Sequence, residues 1–163
     1  MAKRKAQIVI MDGYIKWARF RKSDMDTKFV PDGQFNAEFY PETEDELEKL
    51  LVEAEQRKKS IVLKEAYDGV GYGIGKYVKV QRNNINRSVE EFGGPPQIVK
   101  MDGDNPSGDW DFDEDGLIGN GSKVRVKLVF YGEGNLAGHR LEKVGILEPV
   151  YYDPDQPAEA SGF

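Results

Sequence analysis

Two stretches of the chain alternate cations with flat rings. In Lys76–Arg82, strand alternation puts Val78 and Val80 on one face and Tyr77, Lys79 and Gln81 on the other. In Lys123–Tyr131, Val124, Val126, Leu128 and Phe130 share one face, and Lys123, Arg125, Lys127, Val129 and Tyr131 share the other. Cations track phosphates and rings stack on bases, at about 1–3 kcal/mol per base, so this is the composition a single strand of nucleic acid requires. Lys76, Lys79, Arg82, Lys123, Arg125 and Lys127, with Arg19 and Arg21, are the candidate phosphate contacts. Trp17, Tyr77, Tyr131 and Tyr72 are the candidate stacking rings. The same alternation also describes an ordinary solvated sheet face. Tyr14–Lys22 is aromatic and basic by turns as well, with Trp17, Arg19 and Arg21 on one face and Tyr14, Lys16 and Phe20 on the other. One of these aromatics must be core, and periodicity leaves open whether Trp17 or Phe20 faces a ligand.

Other chemistries find weaker support. The glycine segment 69–75 does not make a phosphate loop: Val70 and Tyr77 stand where a glycine and a Ser or Thr are needed. It reads instead as a flexible lip carrying Tyr72. Asp111, Asp113, Asp115 and Gly116 copy the first half of a calcium loop, but Ser122 stands where the bidentate glutamate belongs. A magnesium-dependent nuclease built on Asp109–Asp115 would lack a base and an oriented lysine, so the acidic loop 102–116 is expected to repel phosphate, or simply to keep the chain soluble. The chain has no cysteine and one histidine, His139, which excludes disulfides and thiolate chemistry and leaves little room for a triad. No catalytic residue, cofactor or metal is expected.

The formal charge is −6, which taken alone argues against a polyanionic partner. The charges are sorted along the chain, however. Residues 1–22 carry Lys3, Arg4, Lys5, Lys16, Arg19, Arg21 and Lys22 against Asp12 alone, and 76–87 carry four bases and no acid. The acids gather in 42–55, 102–115 and after Glu148. A ligand feels the field within about a Debye length, ~8 Å at physiological salt, not the sum over the chain.

The elements that would position these groups are mostly strands. Gln7–Met11 and Tyr14–Phe20 read as strands around an Asp12-Gly13 turn, and Phe35–Tyr40, Lys76–Arg82, Gln97–Met101, Lys123–Tyr131 and Arg140–Tyr152 follow, the last interrupted at Gly145 or Pro149. Residues 83–96 and 102–116 read as loops. Thr43 and Glu46 form a capping box ahead of Leu47, Leu50, Leu51 and Ala54, which predicts a helix over 44–59; a second short helix is expected at 61–67. With 163 residues, this pattern fits a mainly β, five-stranded OB-fold barrel with one flanking helix over 1–152, followed by an acidic, disordered tail over 153–163. The longest apolar runs fall far short of the ~18 residues that span a bilayer, and no apolar signal core follows the basic start. Asp153, Asp155 and Glu159 precede the terminal Phe163, with no base after Lys143. Such a segment can return to a basic groove or enter a partner's pocket.

The block Leu117-Ile118-Gly119-Asn120-Gly121-Ser122-Lys123-Val124-Arg125-Val126-Lys127 resembles the single-stranded-DNA-binding proteins of short-tailed bacteriophages and their phage relatives, where a similar glycine-rich turn opens a basic barrel strand. Tyr14–Ala18, Phe35–Tyr40, Tyr77–Val80, the closing strand and Phe163 follow in the family's order. The resemblance implies an OB-fold with a helix beside the barrel, and coating of unwound DNA in replication and recombination in the cytoplasm of an infected bacterium. It also implies a tail (Asp153, Asp155, Glu159, Phe163) that contacts the phage polymerase and competes with DNA for the groove. A helicase-primase and a second copy of the chain are further partners it suggests. Two rivals remain: an OB-fold protein-interaction module without DNA, and the nuclease above.

Overall fold

The computed structural model describes residues 5–152. Ten strands and one helix follow in order: β1 (Gln7–Arg19), β2 (Gln34–Pro41), α1 (Glu44–Gln56), β3 (Lys64–Glu65), β4 (Lys76–Asn83), β5 (Gln97–Asp102), β6 (Asn105–Asp109), β7 (Leu117–Ile118), β8 (Ser122–Tyr131), β9 (Gly138–Glu148) and β10 (Tyr151–Tyr152). Eight of them form one sheet in the order β3-β4-β2-β1-β8-β9-β5-β6, and β7 pairs with β10. The architecture is therefore mainly β with one helix, but the sheet has eight strands where the sequence led us to expect five. The unforeseen strands β3 and β6 lie at its two ends, and β5 is the strand expected at Gln97–Met101. β4 and β9 are not ladder neighbours, although Arg82 of β4 reaches the Leu141 carbonyl of β9 at 3.5 Å.

The core lies on one face of the curled sheet. Met11, Ile15, Phe39, Val80, Val124, Val126, Leu128, Leu141 and Val144 alternate inward, and α1 adds Leu47, Leu50 and Ala54. Ala37, Val78 and Phe130 complete the alternation read from the sequence. The expected turn at Asp12-Gly13 does not form. β1 runs straight through, because Gly13 is a point of close approach: a Cβ there would lie 2.2 Å from the Tyr40 carbonyl. The final strand breaks at Pro149, which separates β9 from β10.

Thr43 caps α1 by accepting from the Glu46 N–H at 3.3 Å. Glu46 does not close the box on Thr43; its carboxylate accepts from the Asp12 N–H at 3.1 Å and ties the helix to β1. The helix stops at Gln56 because Arg57 turns inward, fully buried, and donates to Glu53 at 2.7 Å and the Gly132 carbonyl at 2.9 Å. The segment expected as a second helix instead forms β3, paired to Lys76 and Tyr77. No helix among the described residues is long and apolar enough to cross a membrane. Asp153, Asp155, Glu159 and Phe163 lie outside the described residues.

Candidate nucleic-acid interface

The site begins with an irregularity in β1. Its register against β2 jumps from Lys16–Glu38 to Arg19–Asn36, so β1 carries one extra residue, a bulge. Trp17 sits in that bulge at φ 56°, a left-handed conformation that costs a non-glycine residue about 1–2 kcal/mol. Its N–H donates to the Asn120 side-chain carbonyl at 2.8 Å, which holds the distortion in place. The bulge turns the indole outward, 56% exposed, while Phe20 is 3% exposed and core. The structure thus settles which of the two rings faces out.

Beside Trp17 lies a cleft of about 1000 Å³. Its floor is the outward face of β2 and β4, with Asn36, Glu38, Tyr77, Lys79 and Gln81; its walls are the β1–β2 loop at Met25–Phe29 and the segment 59–64. Five cations, Arg19, Lys28, Lys59, Lys64 and Lys79, face two carboxylates, Asp26 and Glu38. Asp26 is occupied in shaping the loop. It accepts from the N–H groups of Lys28 at 2.9 Å and Phe29 at 3.3 Å, an Asx turn that holds Phe29 out at 79% exposure. Glu38 accepts from the Tyr40 hydroxyl at 3.3 Å. Burial, reinforced by Glu38, pushes the Tyr77 hydroxyl above its ordinary pKa, so Tyr77 offers a neutral ring and a proton donor. None of the five cations has a carboxylate partner within ion-pair distance among the described residues.

Of the site residues read from the sequence, Trp17, Arg19, Tyr77 and Lys79 come together in this cleft. Lys76 is exposed at the start of β4, opposite Glu65 and outside the cleft lining. The others stand elsewhere. Arg82 is not a phosphate contact available at the surface. It is 7% exposed and donates to the carbonyls of Glu91, Gly94 and Gly93 at 2.9, 3.0 and 3.2 Å, fastening the 84–96 loop to the end of β4. It fell on the inward face because it lies an even number of residues from Val78 and Val80. Arg125 is held by Asp12 at 2.6 and 3.0 Å and by Asp104 at 3.1 Å; these bonds push its guanidinium further up and hold the Asp12 carboxyl below its usual range. Lys123 pairs with Glu42 at 3.0 Å, and this bond raises its pKa. Lys127 lines a different trough with Ile10, Met101 and Lys143. β8 is separated from β4 by two strands, so the two basic rows do not share one groove.

Arg21 pairs with Asp24 at 2.9 Å and lies 5.8 Å over the Phe112 ring. Tyr131 is at the far end of β8, near Arg140, whose guanidinium stacks 3.5 Å from Phe92. Tyr72 is not on a free lip. It stacks on Tyr14 at 5.9 Å and meets Tyr40 edge-on at 5.7 Å, and the 66–75 segment is docked by Lys16 on Asp68 and by the Ile74 N–H on the Pro41 carbonyl at 3.0 Å.

Lys28, Phe29, Lys59, Lys64, Asn36 and Gln81 also line the cleft and are not among the candidates read from the sequence. The one local signal was the cation–ring pair Lys28-Phe29 between Asp26 and the Pro31-Asp32-Gly33 turn.

The acidic loop uses its carboxylates on itself. Asp111 accepts from the Asp113 N–H at 2.8 Å, and Asp115 accepts from the Asp111 N–H at 2.8 Å and pairs with Lys100 at 3.3 Å. Among the described residues, no group of three His, Asp or Glu stands close enough to hold a metal ion. His139 is packed against Phe130 with Nε2 buried and unpartnered, and burial pulls its pKa down to about 4.

A mainly β domain whose curled sheet carries one helix and an open, ring-lined basic cleft is the class these features define. No family model and no curated protein matches the chain. Solved structures that share its fold include two of a bacteriophage protein. The single-stranded DNA-binding protein from bacteriophage Enc34, in a C-terminal truncation, matches with TM-score 0.53 at 8% identity, over 88% of this chain and 87% of that one. The Enc34 protein in complex with ssDNA matches with TM-score 0.53 at 9% identity, over 93% of this chain and 90% of that one.

Proposed function

We propose that the protein is a non-catalytic, largely sequence-independent binder of single-stranded DNA, and that the strand lies in the cleft of Trp17, Arg19, Lys28, Tyr77 and Lys79. The observation that carries this reading is the convergence of five carboxylate-free cations and outward rings on one concave face. The likeness of fold to the Enc34 protein supports it. Within the eight-stranded sheet, the run β4-β2-β1-β8-β9 has the adjacency of a five-stranded OB barrel, with β3, β5 and β6 as additions. In that fold the second and third strands and the loops after the first and fourth bind oligonucleotides. Here those are β2, β4, the 20–33 loop and the 132–137 loop, and the first three border the cleft.

A salt series tests the proposal. Five phosphates neutralised on a single strand give a slope of log K against log[salt] of about −3.5. Affinity for poly-dT should therefore fall steeply with salt and exceed that for duplex DNA; salt-independent binding, or none, overturns the reading. In biological terms the proposed role is protection of unwound DNA in phage replication and recombination within an infected bacterial cell, with the Asp153, Asp155, Glu159 and Phe163 tail contacting the polymerase. Deleting Phe163 should weaken polymerase capture and leave DNA affinity equal or higher. A loss of DNA affinity would refute the tail's role.

A further inference from the structure

We propose that Trp17 is a wedge between two base-binding clefts, and that the second cleft, on its far side, holds the nucleobase next to the one stacked in the main cleft. This rests on the reading of the main cleft as the path of the DNA strand.

Trp17 lines both depressions. The second has a volume of about 430 Å³ and is walled by Phe112, Ile118 and Tyr151, with Arg19 and Arg21 also along its lining. That size is ordinary for a small-ligand pocket, ~300–1000 Å³. Its walls are mostly rings and aliphatic groups. Tyr151 is 65% exposed and stacks on Trp110 at 6.5 Å, and the Arg21 guanidinium stands 5.8 Å from the Phe112 ring centre. A ring beside rings, with the Arg19 guanidinium alongside, suits an unstacked base attached to a phosphate.

The second cleft is also built to hold its shape. Ile118 and Tyr151 are ladder partners, and the Ser122 hydroxyl donates to the Gly119 carbonyl at 2.8 Å and accepts from the Val150 N–H at 2.8 Å. Gly119 permits this closeness, since a Cβ there would come within 2.8 Å of the Val150 carbonyl. The adjacent Asn120 is the residue that fixes the Trp17 backbone. One short turn therefore sets both the wall of the second cleft and the strained residue that divides it from the first. An exposed indole held in a left-handed bulge fits a residue that must enter between two successive bases while Arg19, which has no carboxylate partner among the described residues, meets the backbone crossing the ridge and Arg21 stays on Asp24.

Full-length Phe112→Leu, Tyr151→Leu and Trp17→Leu variants, titrated with dT oligonucleotides carrying one 2-aminopurine, test this. Leucine keeps the packing volume near Phe112 and removes the stacking ring, and urea unfolding confirms the folded state. Phe112→Leu and Tyr151→Leu are each expected to weaken binding about five- to tenfold with an unchanged salt slope, and to lose part of the 2-aminopurine quenching. Phe112→Tyr should restore both. If Trp17→Leu weakens binding while the Phe112 and Tyr151 variants bind as wild type, the second cleft is empty of base and the wedge is wrong, with the main cleft intact. If the wild-type protein binds no single strand, the main reading fails instead.

Discussion

Replacing Arg82 by alanine should cost stability and spare DNA binding, the opposite of what its place in a basic, ring-bearing strand suggests. The guanidinium is buried and makes three good bonds to main-chain carbonyls, those of Glu91, Gly94 and Gly93 at 2.9–3.2 Å, plus longer ones at 3.5 Å to Leu141 and Glu142. Hydrogen bonds to charged groups are worth about 1.5–3 kcal/mol each, and an orphaned buried acceptor costs a comparable amount. Gly93 and Gly94 are half-buried and Glu91 is exposed, so water recovers part of the loss, and Glu142 keeps Arg140 as a partner. The low end of the range over three bonds gives about 4.5 kcal/mol, and solvent access to the freed carbonyls lowers this to about 3 kcal/mol for Arg82→Ala. Arg82→Lys should recover less than half of this, because one ammonium cannot span three carbonyls and reach β9. Urea unfolding measures the stability, and the salt slope of poly-dT binding at low urea measures the interface. An unchanged unfolding midpoint together with a slope reduced by about 0.7 would place Arg82 on the phosphates and refute the reasoning.

Three further outcomes follow from the same geometry. Lys79→Ala should lower the salt slope by about 0.7 and change stability by under ~0.5 kcal/mol, whereas Arg125→Gln should leave the slope alone and destabilise, since Asp12 and Asp104 lose their partner; parallel DNA and urea titrations separate the two. Trp17→Gly should be about 1 kcal/mol more stable than Trp17→Ala, because only glycine adopts φ 56° freely, while both lose DNA affinity; equal midpoints would mean the bulge is not left-handed in solution. His139 binds its proton near pH 4 in the fold but at its ordinary 6.5 when unfolded. Stability should therefore be complete above pH 6.5 and fall by on the order of 3 kcal/mol as pH drops toward 4, a slope that His139→Leu should flatten in pH-dependent urea melts.

Local alternation was enough to orient β4 and β8, to separate core valines from outward lysines, and to place α1 by its cap. These features depend on neighbours within a few residues. The failures are all long-range. Gly13 looked like a turn because its partner, the Tyr40 carbonyl, is 27 positions away in sequence. The break between Lys16 and Arg19 that turns Trp17 outward depends on Asn120, which no window around Trp17 contains. β5 was legible as Gln97–Met101, but β6 was hidden because it is polar and exposed along its whole length, with no alternation to reveal it.

The charge pattern shows the same division most sharply. Sorting by sequence named Arg19 and Lys79, which the fold leaves free of carboxylates among the described residues, together with others that it does not. Lys16, Lys123 and Arg125 lie among few acids in local sequence, yet each is matched by a carboxylate in space, Asp68, Glu42 and Asp12, and Arg21 is matched by Asp24 three residues on. The free cations of the cleft come partly from places that looked mixed or unremarkable, such as Lys28 between Asp26 and Asp32, or Lys59 at the end of an acidic helix. There the nearby acids are engaged elsewhere: Asp26 by backbone N–H groups, Asp32 by Arg87 and Glu53 by Arg57. What makes a lysine available to a phosphate is therefore the absence of a competing carboxylate within about 4 Å in the folded chain, where an exchange of partners costs nearly what it returns, and not the absence of acids beside it in sequence.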